Sequence, residues 1–166
     1  MNGKPALRFD GTNTFALPDF ASSWSQGEVF VVLQSDGTTN KQVGLWLMGM
    51  GSALYPQTTG QIQENFGRNG SSILTGYPIV NIQNTHLYNV MSKSGAWTNR
   101  LNNLKQFGTN ANAVYFPSSP RLGRDGTIHY FRGHIWELLI FNRELTPEER
   151  NAVAENYLKV KFGLSW

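Results

Sequence analysis

Apolar residues occur along most of the chain in short runs, separated by Gly, Asn, Asp and Ser. The segment 28–34 places apolar side chains on both faces of an extended chain. This pattern is typical of a central strand in a sheet that is covered on both faces. Turn signals recur about every 8 to 12 residues, and no helical pattern alternates with the strands. This pattern predicts an antiparallel sandwich or barrel and argues against βαβ units.

A turn signal near the N-terminus supports this prediction. Asp10-Gly11 separates two short apolar segments and predicts a tight hairpin, because glycine accepts a positive φ without steric cost. Further strands are expected wherever the apolar pattern returns. The predicted strands are 6–9, 14–17, 28–34, 43–50, 72–75, 78–82, 87–92, 96–101, 113–116, 121–123 and a long C-terminal strand through Phe141.

A helical pattern follows the C-terminal strand. Thr146 is a good N-cap, Pro147 suits the first helical position, and Glu149 completes a capping box. The helix is expected to run to about Lys161, with Gly163 closing it. Its docking stripe is predicted to contain Val153, Tyr157 and Val160, with Ala154 and Leu158 alongside.

These C-terminal elements also follow a known pattern. Leu122-Gly123-Arg124-Asp125 leads into Gly133-His134-Ile135-Trp136-Glu137, an Asn142-Arg143 corner, and a capped helix ending in Tyr157-Leu158. Together with Leu7-Arg8-Phe9-Asp10-Gly11, the pattern resembles the laminin-G-like branch of the concanavalin A-like lectin/glucanase superfamily. The resemblance implies an all-β fold, a jelly-roll sandwich of two antiparallel sheets with one short C-terminal α-helix, and a single domain over residues 1–166.

Composition narrows the function classes. The 166 residues include no cysteine, which excludes disulfides and thiolate metal sites. The sequence has no run of about 18 apolar residues and no signal-peptide pattern, so membrane insertion is not expected. The net charge is +3, and residues 65–124 carry basic side chains without any carboxylate. Those cations could attract an anionic glycan, a polynucleotide or an acidic neighbour, or simply solvate strand faces. No specific nucleic-acid partner is predicted.

Enzymatic chemistry is not expected. Glycoside hydrolysis requires two carboxylates that face each other across the scissile bond. The glucanases of the superfamily that the chain resembles carry them as Glu-x-Asp-x-x-Glu or Glu-x-Asp-x-Glu along one strand, and this sequence has no such run. Glu137 shares its predicted strand face with apolar residues, so we expect a structural role in which Arg143, another basic side chain or loop N–H groups satisfy it. No catalytic residue, metal or cofactor is predicted, although calcium at a loop rim stays open through Asp36 and Asp125.

The leading hypothesis is a non-catalytic carbohydrate-binding or adhesion module whose partner is a glycan or cell-surface polysaccharide. Aromatic rings pack against the apolar face of a sugar, and planar amides exchange hydrogen bonds with its hydroxyls. Residues 77–112 are rich in both, although Trp97 could equally be a core ring. The candidate binding residues are Trp97, Tyr88, Asn99 and Arg100, with Tyr55 and Tyr77 from neighbouring loops.

The second hypothesis is a structural virion protein, such as a phage decoration, tail or fibre domain. Its jelly roll would contact copies of itself, a capsid lattice or tail proteins. A chain without cysteine or signal peptide suits a virion component made in the cytoplasm. The expected location is therefore extracellular or on a virion surface.

Overall fold

The computed structural model of the chain describes residues 1–19, 23–37, 41–126 and 128–166. Within these ranges the secondary structure consists of short strands followed by a C-terminal helix. The strands are β1 (Leu7–Asp10), β2 (Phe15–Ala16), β3 (Gln26–Ser35), β4 (Gly44–Leu47), β5 (Ala53–Leu54), β6 (Ile62–Glu64), β7 (Ile73–Gly76), β8 (His86–Lys93), β9 (Ala96–Leu101), β10 (Leu104–Thr109), β11 (Arg121–Leu122) and β12 (Arg132–Phe141). None of the described helices is long and apolar enough to cross a membrane.

The strands form two antiparallel six-stranded sheets. Sheet A has the order β1-β12-β3-β8-β9-β10, and sheet B has the order β2-β11-β4-β5-β6-β7. The predicted all-β jelly-roll sandwich with one short C-terminal helix is confirmed. The segment 28–34 lies within β3, between β12 and β8, as its two apolar faces indicated.

Sheet A has apolar residues on both faces because it is covered on both sides. Its inner face packs on sheet B around a core of large side chains, whereas its outer face packs under the C-terminal helix. The largest fully buried side chains include Trp46, Trp97, Tyr55, Tyr88 and Phe66. The resulting sandwich is rigid at its centre, which leaves the loops at its ends to form surface sites.

The C-terminal helix begins as predicted. Thr146 is the N-cap, its hydroxyl accepts the N–H of Glu149, and the Glu149 side chain accepts the N–H of Thr146, which completes the capping box. The helix consists of α1 (Pro147–Asn151), a π-helical segment (Ala152–Lys159) and α2 (Val160–Phe162), and Gly163 ends it in the left-handed conformation.

The predicted docking stripe is partly wrong. Ala154, Leu158 and Phe162 are buried against the sheet, whereas Val160 is 69% exposed and Tyr157 is 43% exposed. The prediction assumed a period of 3.6 residues, but a π-helix bonds each N–H five residues back and therefore has a wider turn. The face that docks is consequently shifted from the face that the α-helical period assigns.

The predicted N-terminal hairpin is also wrong. The turn forms, with Gly11 at a φ of +92° and Asp10 Oδ1 accepting the N–H of Thr12 at 2.9 Å. However, β1 pairs with β12 in sheet A, whereas β2 pairs with β11 in sheet B. The turn therefore crosses from one sheet to the other, and the rings of Phe9 and Phe15 meet edge to face at 5.5 Å across that corner.

Other differences concern short or irregular strands. Residues 78–82 form a loop, and 113–116 contributes only an isolated bridge between Val114 and Arg68. The sequence pattern missed β5, β6 and β10. The two strands β5 and β6 are only two and three residues long, and β10 is an edge strand without apolar alternation, so periodicity gives no signal for them.

Candidate functional site

Four of the six predicted binding residues lie in the core between the sheets. Trp97, Tyr88 and Asn99 are 0% exposed, and Tyr55 is 1% exposed. The prediction that they contact a ligand is wrong for this structure, because none of them presents a ring face or an amide to solvent. The strands β8 and β9 alternate their side chains between the two faces of sheet A, and these residues fall on the inner face.

Tyr88 belongs to a buried polar network around Glu64, which Asn99 joins by donating to the Tyr88 hydroxyl at 3.2 Å. Tyr88 donates its hydroxyl to Glu64 Oε2 at 2.9 Å, and the indole of Trp46 donates to Oε1 at 2.9 Å. The backbone N–H groups of Asn65 and Phe66 also donate to Oε1, at 2.8 and 2.9 Å. Burial raises the pKa of Glu64, and these donors oppose that shift. The network orients the two sheets and has no contact with solvent.

A second buried pair connects the core to the loop after residue 80. The hydroxyl of Tyr55 lies 2.6 Å from His86 Nε2, and His86 Nδ1 lies 2.8 Å from the carbonyl oxygen of Asn84. Since a carbonyl can only accept, Nδ1 carries the proton and Nε2 accepts from Tyr55. Burial lowers the pKa of His86 to about 4, so the imidazole is neutral at physiological pH.

The loops above this pair enclose a cleft of about 400 Å³ at one end of the sandwich. Three segments form it: the residues after β3, those after β5, and the loop between β7 and β8. The backbone N–H of Ser35 donates to the carbonyl of Ile82 at 2.9 Å and holds the first and third segments together. The described lining residues are Gly37, Pro56, Gly60, Pro78, Val80, Asn81, Ile82 and Gln83.

The chemistry of this cleft is an apolar wall beside two primary amides. Pro78, Val80 and Ile82 supply aliphatic surface, whereas Asn81 and Gln83 are exposed. Asn81 Oδ1 accepts the backbone N–H of Gln83 at 3.0 Å, so the amide nitrogen of Asn81 stays available to donate outward. The described lining contains no carboxylate.

Residues 75–79 form the outer lip of the cleft, and the side chain of Gln106 in β10 holds their backbone in place. Gln106 Nε2 donates to the carbonyls of Thr75 and Tyr77, both at 2.9 Å, and its Oε1 accepts the N–H of Ile79 at 3.1 Å. The lip therefore has a defined backbone although its side chains face solvent. Tyr77, a predicted binding residue, is 66% exposed here, directly before Pro78.

A smaller cavity of about 190 Å³ adjoins the cleft, and Gly37 lines both. Position 37 has room only for glycine, because neighbouring side chains lie close to its Cα. A Cβ there would lie 2.5 Å from Pro56 Cδ and 3.0 Å from Val43 Cγ2. The other described residues lining the smaller cavity are Asp36, Lys41, Gln42, Val43, Tyr130 and Arg132.

Arg100, the remaining predicted residue, is not part of this region. It lies on the outer face of sheet A, where its guanidinium donates to Asn89 Oδ1 at 3.1 Å, beside a groove next to the C-terminal helix. In the same place Glu28 is buried and forms an ion pair with Arg150, at 2.6 Å between Oε1 and Nε. Of the six predicted residues, Tyr77 is thus the neighbour of a cleft-lining residue, Pro78, whereas Arg100 borders a different groove.

The carboxylates considered for metal binding or catalysis have protein partners. Asp36 pairs with Arg8, and Asp125 accepts the backbone N–H of His129 at 3.1 Å. Glu137 accepts from Lys161 at 2.5 Å and from the Tyr157 hydroxyl at 2.8 Å, as a β-bulge turns it toward the helix. The basic partner expected for Glu137 is thus Lys161, not Arg143. Among the described residues, no three His, Asp or Glu side chains converge as a metal site would require.

Sequence reasoning missed most residues that line the cleft. Pro78 to Ile82 was interpreted as a strand, although proline lacks the N–H that a central strand needs. The Asn81-Ile82-Gln83-Asn84 run was a usable signal, since three amides shortly after Pro78 suit an exposed loop better than a strand.

Comparison with known proteins identifies the fold. No family model matches the chain, and no curated protein matches it. Solved structures do match: a sialidase from Trypanosoma rangeli has a TM-score of 0.69 at 12% identity, over 96% of this chain and 28% of that chain. The CBM40 of the Ruminococcus gnavus IT-sialidase, bound to α2,3-sialyllactose, has a TM-score of 0.67 at 15% identity, over 91% and 97%.

A third match is domain 4 of a GH43 extracellular arabinanase from Geobacillus stearothermophilus, in complex with arabinotriose. Its TM-score is 0.62 at 18% identity, over 90% of this chain and 76% of that chain. The chain thus spans little more than a quarter of the sialidase and most of the other two structures. At these identities the similarity shows the fold alone, a jelly-roll sandwich of two antiparallel sheets.

Proposed function

We propose that residues 1–166 act as one non-catalytic glycan-binding domain, and that the cleft at the end of the sandwich is its binding site. The observation that carries the proposal is the combination of an aliphatic wall, the exposed amides of Asn81 and Gln83, and a lip whose backbone Gln106 holds in place. These are the groups that orient a sugar without charge.

The mechanism is recognition. The apolar C–H face of a sugar would pack on Val80 and Pro78, and its hydroxyls would exchange hydrogen bonds with the amides of Asn81 and Gln83. Because the lip is fixed by Gln106 before any ligand arrives, little backbone ordering is required on binding. A cleft whose described lining lacks carboxylates supports binding without hydrolysis.

The solved structures support this class of ligand. The CBM40 and the arabinanase domain have the same fold and were solved with an oligosaccharide. The proposal places the protein outside the cell, where such glycans occur, and places it in the laminin-G-like branch through the C-terminal pattern described above. No observation on the described residues favours the alternative of a virion structural protein.

Calorimetric titration with arabinotriose, α2,3-sialyllactose and array-selected glycans tests the proposal. We expect saturable binding to at least one glycan, and a loss of about tenfold in affinity in an N81A/Q83A double variant, because two hydrogen bonds are removed. The matched control is Asn110→Ala, an exposed asparagine at the opposite end of sheet A beside the β8–β9 turn. Equal affinity in the double variant and the control would refute the assignment of the site.

A further inference from the structure

The smaller cavity beside the cleft has an excess of positive charge. Its described lining includes Lys41, Arg132 and one carboxylate, Asp36. Asp36 is already paired, since Arg8 Nη1 lies 2.5 Å from its Oδ2. Lys41 and Arg132 form no hydrogen bond or ion pair with the side chain of any other described residue, so both cationic groups can still pair with a ligand.

The backbone fixes the position of Arg132. It is the first residue of β12, opposite Asp10 in the neighbouring strand, and its carbonyl accepts the N–H of Asp36 at 2.9 Å. Its side chain lies over Gly11, where any Cβ would overlap the guanidinium. The chain therefore has a glycine with a φ of +92° at the point where this arginine needs room.

We infer that this cavity is a subsite for the acidic group of a glycan, a carboxylate or a sulfate ester, whose neutral part lies in the adjoining cleft. The inference rests on the proposed function and adds the class of ligand. A planar guanidinium pairs with two oxygens of such a group at once, and Lys41 adds a second charge. Gly37 lines both spaces, so an oligosaccharide that is bound in the cleft has its acidic group within reach of the smaller cavity.

Three matched probes test the inference: lactose, 3′-sialyllactose and 3′-sulfolactose. We expect either or both acidic probes to bind at least about tenfold more tightly than lactose at low salt, and the preference to shrink as added NaCl screens the charges. The two acidic probes distinguish a carboxylate from a sulfate ester. Lactose binding as tightly as both acidic probes, or no binding of any probe, would overturn the inference.

Charge variants locate the effect. Arg132→Gln should reduce affinity for the preferred acidic probe about tenfold and leave the affinity for neutral glycans unchanged. Asp36→Asn should raise the affinity for the acidic probe, because it removes the single carboxylate of the described lining and frees Arg8 from its ion pair. Lys4→Gln is the control: it also removes one positive charge, from an exposed position about 20 Å along the chain from Asp10.

The outcomes separate this inference from the proposed function. If Arg132→Gln lowers neutral and acidic binding equally, or has no effect while N81A/Q83A abolishes binding, the cavity does not recognise charge and the inference fails although the cleft binds glycans. If Lys4→Gln weakens acidic binding as much as Arg132→Gln does, the attraction is a property of net charge and the subsite is refuted. Circular dichroism of each variant confirms that the fold is intact.

Discussion

The buried histidine beneath the cleft should make the folded state sensitive to mild acid. His86 is 1% exposed, and burial lowers its pKa to about 4 from 6.5. In the unfolded chain the imidazole binds a proton near pH 6.5, whereas in the folded chain it does so only near pH 4. The stabilisation is therefore fully present above the unfolded pKa and is lost as the pH falls through the folded pKa.

The magnitude follows from the two pKa values. Between about pH 7.5 and about pH 5, the unfolded state takes up nearly one more proton than the folded state, which costs about 2 kcal/mol of the free energy of unfolding. Urea denaturation at the two pH values measures the difference. In His86→Gln, which cannot titrate, the decrease between the two pH values should be smaller by about 2 kcal/mol.

Tyr55→Phe is the matched control. It removes the hydroxyl that His86 Nε2 accepts but leaves the imidazole buried, and burial is the main cause of the lowered pKa. This variant should lose about 1 kcal/mol at neutral pH and keep the wild-type pH dependence. An identical pH dependence in wild type and His86→Gln, or a His86 pKa near 6.5 measured by NMR, would refute the reasoning.

Three further variants have defined outcomes. Glu28→Ala should cost about 3–5 kcal/mol in chemical denaturation, because it leaves the buried guanidinium of Arg150 unpaired, and a loss below 1 kcal/mol would contradict this. Gly37→Ala should lower the melting temperature and weaken glycan binding together, because the new Cβ would overlap Pro56 Cδ, and unchanged binding would exclude the described shape of the cleft. Thr146→Ala should cost about 1 kcal/mol of stability by removing the helix cap, without any effect on glycan affinity.

The sequence was most informative where local chemistry determines structure. The capping box at Thr146 depends on side chains a few residues apart, so the helix start could be read directly. The central position of residues 28–34 followed from apolar side chains on both faces. The sheet to which a short strand belongs depends on contacts distant in sequence, which is why the turn at Gly11 was predicted correctly but its pairing was not.

The candidate site was harder to predict because aromatic and amide residues suit both a sugar and a buried network. Trp97 and Asn99 have the composition of a binding surface, yet Trp97 donates to the carbonyl of Phe66 at 3.0 Å inside the core. Only the alternation of β9, once its inner face is known, separates the two interpretations. Tyr77 is exposed in the loop after the edge strand β7, next to the cleft-lining Pro78, and its contact with a glycan stays a prediction.

The most direct test of the account is to map a bound oligosaccharide by NMR chemical-shift perturbation. The account predicts that, on titration with the tightest glycan identified, the largest shifts occur in the backbone amides of Gly37, Asn81 and Gln83 and in the side-chain amides of Asn81 and Gln83. Shifts concentrated instead at Arg100 and Asn103 beside the helix, or at Asn110 at the opposite end, would show that the cleft is not the binding site.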